Sequence, residues 1–310
     1  QYETIKQLAK GGQGVTSLVK LKNNSSFASA GSKLVLKQTV CPDIKAGNAA
    51  LQEAKVLQKI RHTSIVLYHD VFLHSVKGYL VICTVMELCN RGDLANYLID
   101  KRRRASPLSE QVIRSWMGQL TDALAHLHKA QIIHRDVKPH NVFLTAEGFL
   151  KVGDFGLSAT LEEGQRQSHV GTPCYLAPEV MNHERYGGSV DVWGAGCIGL
   201  EMATLDFLWE RKGLLAAAAR SSPVRPDDMP QRLSLPLREC IADCLIYAAA
   251  ARPSAAAVHQ RIRASKAAGG EAEEAASVRL EDFDVGDALS EERGERGREG
   301  ERERREREGE

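Results

Sequence analysis

The 310-residue chain contains no apolar run of the roughly 18–20 residues needed to cross a bilayer. It also lacks a basic start followed by an apolar stretch, so neither a membrane-spanning protein nor one with a secretory signal is expected. The first residue is Gln1 rather than Met, which leaves room for residues upstream. Cysteine is sparse and odd in number: seven scattered residues, with no C-x-x-C pair. That excludes a disulfide framework and a zinc knuckle. Cys240 and Cys244 lie one helical turn apart beside Ile241 and Leu245, as expected of buried free thiols in a reducing compartment.

A large net charge is also missing, since 41 Lys and Arg face 40 Asp and Glu, for +1. The balance is deceptive. Residues 264–310 hold 9 basic and 16 acidic side chains, net −7, and residues 1–263 hold 32 and 24, net +8. After Arg263 the composition falls to Ala, Gly, Glu and Arg. The last twenty residues are 9 Glu, 7 Arg and 4 Gly. Such a segment buries too little apolar area to offset its ordering entropy, so 264–310 is expected to be a disordered acidic tail. Its charge argues against direct nucleic-acid binding and suits a basic partner.

Residues 1 to about 90 read as short β-type runs around one helix. The runs are Thr16–Leu21, Lys33–Gln38, Ile65–Phe72 and Tyr79–Met86, and the helix is Gly47–Ile60, with Ala50, Ala54 and Leu57 on one stripe. From about 91 to 263 the pattern turns helical. Ser109 is a candidate N-cap, and Ile113, Trp116, Leu120, Leu124 and Leu127 recur behind it on one face. The short runs Val142–Leu144 and Leu150–Val152 read as a hairpin. The expected architecture is α+β and bilobal: a β-rich N-lobe with one key helix, a mainly helical C-lobe, and the tail.

Chemistry concentrates in His134-Arg135-Asp136-Val137-Lys138-Pro139-His140-Asn141 and in Asp154-Phe155-Gly156. A single Asp or Asn is usually a turn former. Here Asp136, Lys138 and Asn141 share one loop, and Asp154 lies 18 residues after Asp136, beyond the hairpin. These two motifs resemble the catalytic loop and the Mg²⁺-binding motif of the eukaryotic protein kinases, serine/threonine type. The resemblance implies a β-strand lysine, supplied by Lys37 in Leu34-Val35-Leu36-Lys37, and a helix glutamate to hold it, supplied by Glu53. It implies a glycine-rich loop over the phosphates. Ala9-Lys10-Gly11-Gly12-Gln13-Gly14-Val15-Thr16 keeps Gly11 and Gly14 but has Ala9 at the first glycine and Thr16 where Val is usual. Val35, gatekeeper Met86 and Phe143 would enclose the adenine, and the backbone of the hinge residues Glu87 and Cys89 would hydrogen-bond its edge. Asp93 is either a ribose contact or a helix-start Asp.

The same resemblance assigns Asp136 as catalytic base, Lys138 to the γ-phosphate, and Asn141 with Asp154 to the metal. ATP is the expected nucleotide and Mg²⁺ the expected ion, with Mn²⁺ as an alternative. Protein Ser/Thr hydroxyls are the expected acceptors. Lys138 and Thr172, in Gly171-Thr172-Pro173, are of the serine/threonine type. Asp191 matches a buried brace of the catalytic loop, and Arg252 a partner for Glu179. Arg135 would receive a phosphate on Ser168 of the activation segment. The β-strand Val-x-Lys, the Met86 gatekeeper and Asn141-Val142-Phe143-Leu144-Thr145 are most similar to the NIMA-related kinases, over roughly residues 1–200. A cytoplasmic site is expected, with the nucleus or cytoskeleton as further locations. A pseudokinase scaffold is the competing reading, prompted by the altered glycine loop and the short, Ala-rich region after 204. The tetrad Lys101-Arg102-Arg103-Arg104 is a solvated loop, a nuclear import signal, or a dock for an acidic segment.

Overall fold

The architecture is seen in a computed structural model that describes residues 1–11, 14–76, 78–155, 159–160, 173–210, 215, 219 and 222–267. The N-terminal part is a five-stranded antiparallel sheet of β1 (Tyr2–Gly11), β2 (Gly14–Leu21), β3 (Lys33–Cys41), β4 (Tyr68–Val76) and β5 (Tyr79–Glu87), in the order β1-β2-β3-β5-β4. Helix α1 (Ile44–Leu57) packs on it. The larger part contains α2 (Leu94–Arg103), α3 (Glu110–Lys129), α4 (Pro178–Met181), α5 (Ser189–Thr204), α6 (Leu235–Cys244) and α7 (Ala255–Ala267). The two-residue strand β6 (Ile132–Ile133) and the hairpin β7 (Val142–Leu144) and β8 (Leu150–Val152) lie between α3 and the Asp154 motif. Strand β9 (Ala159–Thr160) pairs with β6. The α+β, two-lobed expectation is met.

Three local expectations are corrected. Strand β1 escaped notice because register shifts between Thr4 and Lys6 and between Gln7 and Ala9 break the period-two alternation. Helix α1 begins at Ile44, three residues early, because the Asp43 carboxylate accepts the Ala46 N–H at 2.7 Å. It stops at Leu57, and Ile60 lies beyond it. Ile65 and Val66 are not part of β4. They are tied instead to β8, where Val66 N–H donates to Val152 O at 2.8 Å and Val152 N–H to Ser64 O at 2.9 Å. This stretch therefore stitches the sheet to the helical lobe. The Ser109 cap is as expected, its Oγ accepting from Val112 N–H at 3.4 Å.

Helix α5 is apolar almost all round and buried along its length, with Trp193, Cys197 and Ile198 fully enclosed. It passes so close to the catalytic loop that a Cβ on Gly194 would sit 2.6 Å from Val137 O. Beside it, Glu179 and Arg252 form a buried pair, Arg252 Nη1 donating to Oε1 at 2.8 Å and Nη2 to Oε2 at 3.2 Å. The guanidinium also donates to Ser189 O and Ile246 O and lies 5.2 Å from the centre of the Trp193 ring. Cys197, Cys240 and Cys244 are buried as expected, as are Cys41 and Cys83, whereas Cys89 and Cys174 are only half-buried. Among the described residues no helix is long and apolar enough to cross a membrane.

Arg252→Ala should strand the Glu179 carboxylate in the interior and cost about 3–5 kcal/mol. Urea denaturation should show a lower midpoint for this variant, with a near-normal one for a substitution at exposed Arg103.

Candidate active site

A cleft of about 500 Å³ opens between the sheet and the helical lobe. Ala9 and Thr16, paired across β1 and β2, line one side of it. Gly11 and Gly14 face each other at the same hairpin end. Gly14 is held at φ 144°, and a Cβ there would lie 1.9 Å from Gln38 O, so no other residue fits. Val35 and Met86 are register partners on β3 and β5, and both line the cleft. Phe143 faces it from β7. The chain beyond β5 is held beside Phe143 by Leu144 N–H donating to Gly92 O at 2.9 Å and Arg91 N–H donating to Leu144 O at 3.1 Å.

The hinge residues divide their roles. Glu87 N–H donates to Leu67 O at 3.0 Å, so its backbone can offer a ligand only the carbonyl. Its carboxylate accepts from Leu67 N–H at 2.7 Å and from Lys151 at 2.8 Å, a structural duty invisible in the sequence. Cys89 lines the cleft, and burial, with Glu87 adding to it, pushes its thiol up to about 12. Asp93 caps α2 by accepting Asn96 N–H at 2.9 Å, as the helix-start reading has it, and it also lines the cleft. Leu8, Leu18, Val66, Asn96 and His140 complete the wall. Leu8 and Leu18 went unrecognised because the β1–β2 hairpin was read from its glycines and not from its apolar face.

At the inner end, Lys37 pairs with Asp154. Glu53 stands on α1 and lines a second cavity of about 430 Å³, together with Lys37, Tyr68, Asp154 and Phe155. Sequence order thus brought Lys37, Glu53 and Asp154 to one place. Phe155 is buried between His134, 4.8 Å away ring to ring, and Tyr68, at 5.9 Å.

Opposite lies the catalytic loop. Asp136 Oδ2 accepts from Lys138 Nζ at 2.8 Å and from Asn141 Nδ2 at 2.9 Å, and the same Nδ2 donates to Asp136 O at 2.8 Å. One carboxylate is therefore held by the two side chains that share its loop. Asp136 N–H donates to His134 Nδ1 at 3.3 Å, which places the imidazole proton on Nε2, 3.0 Å from Gly153 O. His134 is fully buried and ties the catalytic loop to the residue before Asp154.

The brace beneath is Asp191. Its Oδ2 accepts from His134 N–H at 2.9 Å and lies 2.8 Å from His128 Nε2, while Oδ1 accepts from Arg135 N–H at 2.9 Å. Arg135 needs this restraint because its φ is 67°, in the left-handed region. Its guanidinium reaches Tyr186 Oη at 3.4 Å. Burial alone would push the Asp191 carboxyl up. The His128 hydrogen bond and charge, with His134, outweigh it and hold the group below its usual range. Ser168, Thr172 and Gly156 lie outside the described residues.

The donor set suits a hard divalent cation. Asp154 brings a carboxylate and Asn141 a side-chain amide oxygen, the commitment of its Nδ2 to Asp136 fixing which way the amide is turned. Among the described residues no three-ligand cluster stands preassembled. An ion such as Mg²⁺ takes one or two protein carboxylates and completes its shell with water and phosphate.

Comparison with known proteins agrees with this geometry. The family model described as "Protein kinase domain" matches residues 2–262. The chain is 33% identical over 247 residues to "Probable serine/threonine-protein kinase nek2" of Dictyostelium discoideum, covering 78% of this chain and 57% of that protein. It is 33% identical over 257 residues to serine/threonine-protein kinase Nek4 of Mus musculus, covering 82% and 31%. It is 32% identical over 219 residues to serine/threonine-protein kinase Nek5 of Homo sapiens, covering 69% and 29%. The chain thus spans little more than half the length of the first of these relatives and under a third of the other two.

Because the Asp191 carboxylate has a depressed pKa, its contribution to stability is present in full above the ordinary carboxylate range. It is lost as pH falls through that range toward the lower native value. The urea midpoint of the wild type should therefore drop between roughly pH 5 and pH 3. Asp191→Asn should start lower and show a flatter profile, and parallel profiles would contradict the assignment.

Proposed function

From the premise that this chain belongs to the protein kinase family, we propose that it transfers the γ-phosphoryl group of ATP to Ser and Thr hydroxyls of proteins. The observation that carries this reading is the Asp136 carboxylate held by Lys138 and Asn141, on a loop whose His140 lines the same cleft as Lys37 and Asp154. Apolar Ala9, Val35, Met86 and Phe143 suit a planar base, and the charged groups suit its phosphates.

Catalysis of this kind rests on positioning and charge neutralisation. Lys37 binds the α/β-phosphates, with Glu53 on α1 steadying it. A divalent ion, Mg²⁺ or alternatively Mn²⁺, would be held by Asp154 and Asn141 and would neutralise phosphate charge. Asp136 accepts the proton of the attacking hydroxyl. Lys138, already 2.8 Å from Asp136, can follow the charge that develops on the transferred group. Asn141 keeps the Asp136 carboxylate oriented throughout. The Lys138 and Thr172 pattern supports Ser/Thr acceptors. Arg135, anchored through its backbone by Asp191, is the group to receive a phosphate on Ser168 and so order the activation segment.

Asp136→Asn should lose at least 100-fold in turnover, roughly the worth of a positioned base, while ATP affinity stays near wild type by isothermal titration. Phosphate incorporation into casein from labelled ATP checks the first half. Incorporation at the wild-type rate would refute the assignment, and ATP-independent partner binding without any wild-type incorporation would identify a scaffold. Ser168→Ala should block the rise in activity that preincubation with ATP produces. An equal rise in that variant would remove Ser168 from the scheme.

A further inference from the structure

The acidic charge after α7 is not spread along the tail. Residues 271–292 contain nine acidic side chains and one basic, net −8, whereas residues 293–310 contain seven of each. The acidic block also holds Val278, Leu280, Phe283, Val285 and Leu289, the large apolar residues beyond α7.

The fold delivers this block to a particular place. Helix α7 lies along α3 in the opposite sense. His259 Nδ1 is 3.0 Å from Gly118 O, and six residues on Ser265 accepts from Arg114, one turn nearer the start of α3. The chain therefore leaves the described domain at the N-terminal end of α3. The five-residue connection 105–109 joins that same end to the C-terminus of α2, where Lys101, Arg102, Arg103 and Arg104 stand together. Arg102, Arg103 and Arg104 are exposed. Arg102 pairs with Glu210 at 2.5 Å and stacks 5.0 Å from the Phe207 ring centre, and Arg104 pairs with Asp100 at 2.9 Å. Arg211 and Lys212 follow Glu210 in sequence and add to the basic character of this neighbourhood.

We propose that the acidic block 271–292 docks in cis on the basic cluster Lys101–Arg104 at the end of α2. The thirteen residues 268–280 span roughly 20 Å as a coil, and a linker that short raises the effective concentration of the block to the millimolar range. Each exposed ion pair contributes little, so the contact depends on the number of charges and is sensitive to salt. The bland account of the tetrad, favourable basic charge at a helix C-terminus, explains why α2 tolerates it. It does not explain why the acidic half of the tail is the half nearest to it. A docked tail would make the cluster available to an acidic partner only by exchange.

Zero-length carbodiimide coupling of the full chain, read by mass spectrometry of the monomer, tests this. At about 0.05 M salt, Lys101 should form amides with carboxylates of residues 271–292, and the product should vanish near 1 M salt, where the screening length falls to about 3 Å. The variant Glu281→Gln/Asp282→Asn/Asp284→Asn/Asp287→Asn leaves residues 1–280 unaltered and should lose most of the product, with a urea midpoint equal to that of the wild type. Lys101 coupling found mainly in covalent dimers would place the tail on a second copy and overturn docking in cis. Equal coupling to lysines over the whole domain, or undiminished coupling in the neutralised variant, would overturn it as well.

Discussion

The Asp191 carboxylate, buried at the start of α5, receives the backbone N–H groups of His134 and Arg135 and lies against the His128 ring. Those contacts hold two consecutive amides in a loop whose backbone would otherwise avoid the left-handed φ of Arg135. Everything catalytic is built upon that turn. His134 reaches up from it to Gly153, and Asp136 follows it with its N–H on the same imidazole. Lys138 and Asn141 then close on the Asp136 carboxylate. Removal of the brace would release a chain of contacts and not a single bond. The helix that carries Asp191 is suited to this task because it is enclosed on all sides and offers the loop a fixed platform.

A second electrostatic centre sits a few residues along. Arg252, arriving just ahead of α7, meets Glu179 at the start of α4, Ser189 at the start of α5 and the carbonyl of Ile246. It ties the stretch 246–252 to the starts of α4 and α5, which lie more than sixty residues before Arg252 in the chain, beside the Trp193 ring. A planar guanidinium suits this junction because its five donors can serve separate acceptors in one plane. The two buried carboxylates, Asp191 and Glu179, thus do complementary work: one shapes the catalytic loop, the other clamps the segment that follows the activation region to the helical core.

Much of this was legible in the sequence, because the groups concerned are short motifs whose residues act in fixed order. Asp136, Lys138, Asn141 and Asp154 were named from their spacing; the structure closes Lys138 and Asn141 on the Asp136 carboxylate, while Asp154 lines the cleft with Lys37 and the loop's His140. What stayed hidden was set by geometry rather than by residue type. The bulges of β1 erased its alternation, and the Asp43 cap lay outside the apolar stripe that marked α1. Ile65 and Val66 look like any apolar strand, but their backbone bonds go to β8 across the lobe boundary. Glu87 was read only for its backbone, whereas its side chain binds Leu67 and Lys151. For Ile65, Val66 and Glu87 the deciding contact joins residues distant in the chain, which no local pattern records.

Cys89 has a practical consequence for anyone seeking to label the nucleotide cleft. A cysteine at the rim of such a pocket invites electrophilic ligands, yet electrophiles are attacked by thiolate and not by thiol. Burial, reinforced by the Glu87 carboxylate, keeps this sulfur protonated far above neutral pH. Reversible ligands shaped to the apolar walls therefore have the advantage over acrylamide-type warheads. The sulfur serves as a soft contact surface for whatever lies against it.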